Sequence, residues 1–270
     1  MKSGTLNINL IQEAMKGGYI GKHIDFKTDT TSTNDEVWSF AQTDTFDGLV
    51  VFADAQSAGR GRRGRLWQSP RGASLLLSLG ISGQDHAMSG EWLSIVMAIA
   101  VHETVARSGG IRPTIKWPND VLVNGQKLSG ILVESRQNQT GSRDHVVGIG
   151  INCLQHRGHF SGPLADTATS LELLSCHPID RTAVAIHLLQ AINKRLSRPE
   201  TLTHQKLRSE WLNRTNTLGA RVVLEREGRR YSGTVIDLDP MAALVLQLDE
   251  GGIRAFNAAN TSLVSTECDS

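Results

Sequence analysis

Between Gln56 and Arg65 the chain reads Gln-Ser-Ala-Gly-Arg-Gly-Arg-Arg-Gly-Arg, with four arginines and three glycines interleaved over Gly59–Arg65. Glycine lets a backbone approach a ligand and take up positive φ, and arginine offers forked donors to carboxylate or phosphate oxygens. The spacing Gly59-x-Gly61-x-x-Gly64 also matches the fingerprint of a dinucleotide-binding turn, which needs a strand before it and a helix after it. Leu49–Phe52 reads as the strand, but the breaker Leu66-Trp67-Gln68-Ser69-Pro70 and then an apolar β-like run follow, so the required helix is missing. A nicotinamide or flavin site is excluded on that ground. What remains is a loop for an anion, a plain solvated basic loop, or a nucleic-acid contact. Its guanidinium groups repel one another, so the loop is expected to be mobile until an anion orders it.

Two further segments carry chemistry. Lys116-Trp117-Pro118-Asn119-Asp120 is followed by Lys127-Leu128-Ser129-Gly130-Ile131-Leu132-Val133-Glu134. A lysine near the start of a strand can aim its ammonium into a cleft, and Asp120 can hold magnesium, which prefers one or two carboxylates plus phosphate oxygens. Taken alone, Asp120 reads first as a turn residue and Lys116 as a surface lysine. Gly148-Ile149-Gly150-Ile151-Asn152 alternates small residues with isoleucine, which lets a flat ring lie against a strand, and Asn152 can hydrogen-bond an amide or purine. The same pattern also suits an ordinary buried strand. His156 and His159 form a weak H-x-x-H metal signal, and no Ser/His/Asp or Cys/His nucleophilic set is evident.

The elements that must position these residues follow from periodicity. Thr33-Asn34-Asp35-Glu36 has the form of a capping box and predicts a helix to about Thr43. Leu49–Phe52 and Ser74–Ile81 predict buried strands, and Ser89 caps a helix whose apolar stripe runs through Trp92, Ile95, Val96, Ile99 and Val105. Strands are expected near 114–117, 121–123, 128–134 and 145–151, with a turn at Asn124-Gly125. Helices follow from the Asp180 cap to Leu196 and over about 203–212. From Leu218 onward, short strands at 222–224, 231–238, 243–248 and 253–256 predict a small antiparallel β-barrel. Residues 1–27 are polar, with two short apolar patches.

Composition sets the outer limits. A chain of 270 residues buries about three-quarters of its unfolded surface, enough for a core without staples. At 39% hydrophobic and 20% charged it is an ordinary globular chain, and a net charge of +1 gives no global field for nucleic acid or membrane. Cys153, Cys176 and Cys268 form no C-x-x-C pair, which argues against a disulfide framework or cysteine zinc site and for a reducing compartment. No apolar run is long enough for a signal peptide or a membrane span, so the expected address is the cytoplasm.

In order, Ser32-Thr33-Asn34, Gln56–Trp67, Lys116–Asp120, Lys127–Glu134 and Gly148–Asn152 closely resemble the motif series of the biotin–protein ligases. The resemblance covers about Thr28–Leu212, and the tail resembles the family's small C-terminal barrel. It implies an α/β (α+β) fold. Residues 1–216 would form a mixed sheet backed by helices, similar to class II aminoacyl-tRNA synthetases, and 217–270 a small antiparallel β-barrel.

The implied reaction uses ATP and biotin as substrates, with Mg2+. Biotin's carboxylate attacks the α-phosphate, and a lysine of a biotin carboxyl carrier domain then takes biotin from biotinyl-5′-AMP. By the same resemblance Ser32, Thr33, Asn34, Gln56, Arg60, Gly61, Arg62, Lys127 and Gly130 bind biotin, with Lys127 and Arg62 catalytic. Arg63, Arg65, Trp67, Lys116, Asn119 and Asn152 attend ATP, and Asp120 is the magnesium contact.

Regulatory family members carry a winged helix-turn-helix, for which the 31 residues before Ser32 are too few. No operator binding is therefore expected, and no membrane; the state is a monomer or homodimer. Some members place an ATP-assisting arginine at the end of the last strand. Leu263-Val264-Ser265 stand there, so the small domain is expected to make no nucleotide contact. A lipoate or other acyl–protein ligase, or a nucleic-acid-binding protein using the arginine loop, are the alternatives.

Overall fold

A computed structural model describes residues 5–83, 88–108 and 110–267. The chain opens with α1 (Ile8–Ala14), where the Asn7 side chain accepts from the Leu10 amide, followed by β1 (His23–Thr30), α2 (Thr33–Trp38) and β2 (Leu49–Gln56). β3 (Ser74–Ile81) and α3 (Gly90–Ala106) precede β4 (Pro113–Lys116), β5 (Asp120–Val123), β6 (Gln126–Gln137) and β7 (Arg143–Asn152). Two single-turn helices, α4 (Leu164–Thr167) and α5 (Leu171–Leu174), lead to α6 (Arg181–Leu196) and α7 (His204–Leu212). The chain then forms β8 (Arg221–Arg226), β9 (Arg229–Asp239), β10 (Ala243–Leu248), β11 (Ile253–Phe256) and β12 (Thr261–Glu267).

Strands β1 to β7 make one mixed sheet in the order β1-β2-β3-β7-β6-β5-β4, with only β1 and β2 parallel. Register decides what each face carries. Ser74, Leu76 and Ser78 pair with Asn152, Gly150 and Gly148, and Gly130 pairs with Gly150. Side chains alternate along a strand, so these residues share one face. Leu75, Leu77, Leu79, Ile151, Ile149 and Val147 take the other and are buried in the main core with α3 and α6. Each fully buried aliphatic side chain contributes about 1.5–3 kcal/mol, which makes this the face that holds the sheet in place.

Several expectations meet a different outcome. α3 shows no single stripe: every residue from Ile95 to Val101 is buried, because the helix is enclosed by β6, α6 and α7. Its Ser89 cap does form, accepting from the Trp92 amide, as do Asp180 onto Thr182 and Thr203 onto Lys206. The Thr33–Glu36 capping box does not form. Ser32 occupies the cap position with no side-chain bond, Thr33 is already helical, and α2 ends at Trp38 rather than near Thr43. Strand β1 was hidden because Ile24 and Phe26 are its only large apolar residues and it lies at a half-buried sheet edge.

The C-terminal strands form an antiparallel sheet in the order β11-β10-β9-β8-β12. It is not a closed barrel: β11 and β12 are its two edges and do not pair with each other among the described residues. Its inner residues Val222, Leu224, Val235, Leu238 and Phe256 belong to the same core as Leu207 and Trp211 of α7. Cys153 and Cys176 are free, and burial pushes the Cys153 thiol up to about 12. Cys268 lies outside the described residues.

Candidate functional site

The face of the large sheet opposite the main core carries a cavity of about 630 Å3. Its uncharged end is built by α2 lying on β7. Thr33 donates through its backbone N–H and its hydroxyl to Gln56 Oε1, at 2.7 and 3.0 Å. Ser78 Oγ lies 2.6 Å from Asn34 Oδ1 and 2.7 Å from Thr33 Oγ1. These hydroxyls serve the cleft, which is why none of them caps the helix. Ser32, Thr33 and Asn34 are all buried, and Asn34 Nδ2 has no partner. A buried donor left open beside a cavity suits a ligand carbonyl. Asn34 presses on Gly148, where a Cβ would lie 2.4 Å from Asn34 Oδ1.

Two residues along β7, the Trp67 indole lies flat on Gly150. A Cβ at Gly150 would meet Trp67 Cε2 and Cζ2 at 2.6 Å, and one at Gly130 would meet Cζ3 at 3.3 Å. The Trp67 backbone N–H donates to Gly59 O at 2.9 Å, which fixes the main chain that carries the ring. Asn152 closes this row. Its Nδ2 donates to Thr169 O at 2.9 Å, and its Oδ1 accepts from Gln155 Nε2 at 2.9 Å and Ser74 Oγ at 3.3 Å.

The cationic part lies across Gly130. Lys127 pairs with Asp120 at 2.7 Å, and its Nζ stands 5.9 Å from the Trp67 ring centroid. Register places Lys116 opposite Asp120 on the neighbouring strand. Burial holds the Lys116 ammonium below the usual lysine range, Lys127 and Arg65 push the same way, and Asp120 opposes them. Arg62 is half-buried. Its Nη1 donates to Asn119 Oδ1 at 3.3 Å and its Nη2 to Ala258 O. Asn119 is itself fixed by its Nδ2 on Ile131 O.

The arginine loop is tied down more than charge repulsion alone suggests. Arg60 donates from Nη1 and Nη2 to the two Asp35 oxygens, both at 2.7 Å, and also reaches Glu134 at 3.3 Å. This pairing raises the Arg60 pKa and holds the Asp35 carboxyl below the usual carboxylate range. Arg63, at φ +58°, donates to Ser262 Oγ at 2.5 Å and to Asn260 O. Three of the four guanidinium groups thus have acceptors on three different elements.

The residues that the resemblance assigned to the site all line this one cavity: Ser32, Thr33, Asn34, Gln56, Arg60, Gly61, Arg62, Arg63, Arg65, Trp67, Lys116, Asn119, Asp120, Lys127, Gly130 and Asn152. His156 and His159 stay apart from it, the His156 N–H donating to His159 Nδ1 in a 3-10 turn. The sequence reading missed Ser78, Gln155, Asn216, Thr217 and the strand β12. Ser74 and Ser78 were legible in principle, as two hydroxyls on the same face of an apolar strand. The small domain, expected to make no nucleotide contact, nevertheless reaches the cavity. Thr261–Thr266 form part of the cavity wall, although no arginine stands there.

Residues 26–152 match the model of the Biotin/lipoate A/B protein ligase family. The chain is 34% identical over 237 residues to the biotin–[acetyl-CoA-carboxylase] ligase of Mycobacterium tuberculosis, covering 86% of this chain and 85% of the relative. It is 31% identical over 257 residues to the bifunctional ligase/repressor BirA of Bacillus spizizenii, covering 95% and 79%. Among solved structures, the biotin protein ligase from Aquifex aeolicus in complex with biotin and ATP superposes with a TM-score of 0.75 at 26% identity, covering 90% of this chain and 98% of that one.

Proposed function

The chain belongs to the biotin/lipoate A/B protein ligase family, as a biotin–protein ligase, and from that premise we propose how its cleft divides the work. The enzyme is an ATP-dependent ligase that activates biotin as biotinyl-5′-AMP and transfers it to a biotin carboxyl carrier protein. The observation that supports the division is the row along β7. Asn34, with its open donor, sits at Gly148, Trp67 lies on Gly150, and Asn152 follows. Gly148 to Asn152 spans roughly 13 Å of strand, room for a bicyclic head at one end and a nucleoside at the other.

In this reading Ser32, Thr33, Asn34 and Gln56 receive the ureido ring of biotin, and Trp67 and Asn152 receive the adenosine. Between them Lys127, Lys116 and Arg62 neutralise two anions that would otherwise repel, the biotin carboxylate and the α-phosphate. The carboxylate oxygen attacks the α-phosphorus, the bond to the β-phosphate oxygen breaks, and pyrophosphate leaves. In the second step a neutral carrier lysine attacks the acyl carbon and AMP departs with the bonding electrons. Catalysis rests on positioning and fixed positive charge, not on a covalent enzyme intermediate. Asp120 keeps Lys127 aimed into the cleft until the substrates arrive.

Asp120 is the one carboxylate on the cavity wall, and no cluster of three or more His, Cys, Asp or Glu exists among the described residues. That donor set fits magnesium carried in on phosphate oxygens and water, with Asp120 as its protein ligand. The ion's chemistry is to neutralise triphosphate charge. We place the enzyme in the cytoplasm, as a monomer or homodimer; no helix among the described residues is long and apolar enough to cross a membrane.

The test mixes the protein with labelled ATP and follows pyrophosphate release with biotin, with lipoate and with neither. Release with biotin alone is expected. Release with lipoate at the same rate, or none with either acid, would overturn the assignment.

A further inference from the structure

We propose that Gln155 is a positioning residue that, together with Thr169 O, locks the Asn152 carboxamide with its NH2 end toward the nucleotide. This rests on the reading that Asn152 meets the adenosine, and adds a selecting element behind it. Asn152 is 6% exposed at the cavity wall, whereas Gln155 is 1% exposed and lies outside that wall. Gln155 therefore acts only through its neighbour.

The orientation of Asn152 follows from its partners. Thr169 O, 2.9 Å away, is a backbone carbonyl and can only accept, so Nδ2 must face it. Oδ1 then faces inward, where Gln155 Nε2 donates to it at 2.9 Å. Gln155 Nε2 also lies 2.6 Å from Ser74 Oγ, and Ser170 Oγ donates to the Gln155 backbone carbonyl at 2.7 Å. Side chain and backbone of Gln155 are thus both held.

An amide nitrogen carries two protons. One of those on Asn152 goes to Thr169 O, which leaves the second as the polar contact that Asn152 offers to the cleft. Its acceptor oxygen is withheld. The ligand group this suits is an acceptor on the edge of the base, a ring nitrogen above all. Without the Gln155 donor, Oδ1 keeps only the longer bond from Ser74, and the carboxamide, held chiefly at Thr169 O, can swing its second N–H off the line to the base.

The experiment measures the KM for ATP in pyrophosphate release at saturating biotin, and separately the Kd for biotin without ATP. Gln155→Met keeps the length and removes the donor. It is expected to raise the ATP KM by about tenfold, the loss of roughly 1.4 kcal/mol, while biotin Kd stays near the wild-type value. Gln155→Glu adds a pH readout. Protonated, its carboxyl can still donate to Asn152 Oδ1; ionised, it cannot. Its ATP KM should start near wild type at low pH and climb toward that of Gln155→Met as the pH rises, a rise absent from wild type.

If biotin Kd moves by the same factor as ATP KM, is lost in both variants, or the pH dependence matches wild type, Gln155 is only structural and the proposal is overturned. Asn152→Ala separates the two levels. An unchanged ATP KM there would refute the adenosine reading and the proposal with it. A raised one beside a silent Gln155→Met would refute the positioning role alone.

Discussion

Glycines 148 and 150 stand two residues apart on one strand, yet adding a methyl group to each should damage different substrates. A Cβ at Gly148 would lie 2.4 Å from Asn34 Oδ1, and one at Gly150 2.6 Å from two atoms of the Trp67 ring. Both are about 1 Å short of an ordinary heavy-atom contact. Neither neighbour can retreat freely: Asn34 is buried and its Oδ1 lies 2.6 Å from Ser78 Oγ, while the Trp67 ring also lies against Gly130, where a Cβ would meet its Cζ3 at 3.3 Å. Overpacking of this kind costs about 1–3 kcal/mol, or roughly five- to a hundredfold in affinity. Gly148→Ala should therefore weaken biotin binding by that factor in the absence of ATP, measured by calorimetry. Gly150→Ala should raise the ATP KM by a similar factor and leave biotin binding nearly intact. Alanine regains roughly 0.5–1 kcal/mol of backbone entropy relative to glycine, so the net loss of stability should be about 0–2.5 kcal/mol, a melting-temperature drop of several degrees at most. Equal effects of both variants on both substrates would refute the layout along β7, and so would two silent variants.

Lys127→Ala should lower the rate of pyrophosphate release far more than it weakens biotin binding, since its charge matters most as two anions meet; an unchanged rate at saturating substrates would contradict this. Arg62→Gly should still make adenylate but release it faster. A lost charge-assisted hydrogen bond of about 1.5–3 kcal/mol predicts a ten- to hundredfold quicker escape, read as biotin appearing on added albumin, and labelling no faster than wild type would remove Arg62 from the retaining role. The Arg60–Asp35 pair depresses a carboxylate pKa, so the stability it adds is present above the unfolded value near 3.9 and lost as pH falls through the folded value. The melting-temperature gap between wild type and Arg60→Ala should accordingly be small but measurable at neutral pH and close in acid. A gap that persists at low pH would mean that Arg60 acts through packing.

Much of the site was legible before any coordinates, because its chemistry sits in short contiguous runs. Ser32–Asn34, Gly59–Arg65, Lys116–Asp120 and Gly148–Asn152 each carry their residue types side by side, and period-two alternation already puts Gly148, Gly150 and Asn152 on one face. The caps at Ser89 and Asp180 were equally local and formed as expected. Tertiary structure decided what those runs meet. The Thr33 hydroxyl turned from a helix cap to Gln56, twenty-three residues away, because a buried site offered it a partner. The arginines found acceptors on α2, on β6 and nearly two hundred residues on, at Ala258, Asn260 and Ser262. Gln155 carries no motif of its own: it stands three residues after Asn152, and its meaning comes from an amide nitrogen shared between Asn152 and Ser74 of a different strand. Local spacing encodes which residues share a face. Which face then meets which depends on the pairing of β7 between β3 and β6, set by the burial of whole elements, and no short window of sequence contains that information.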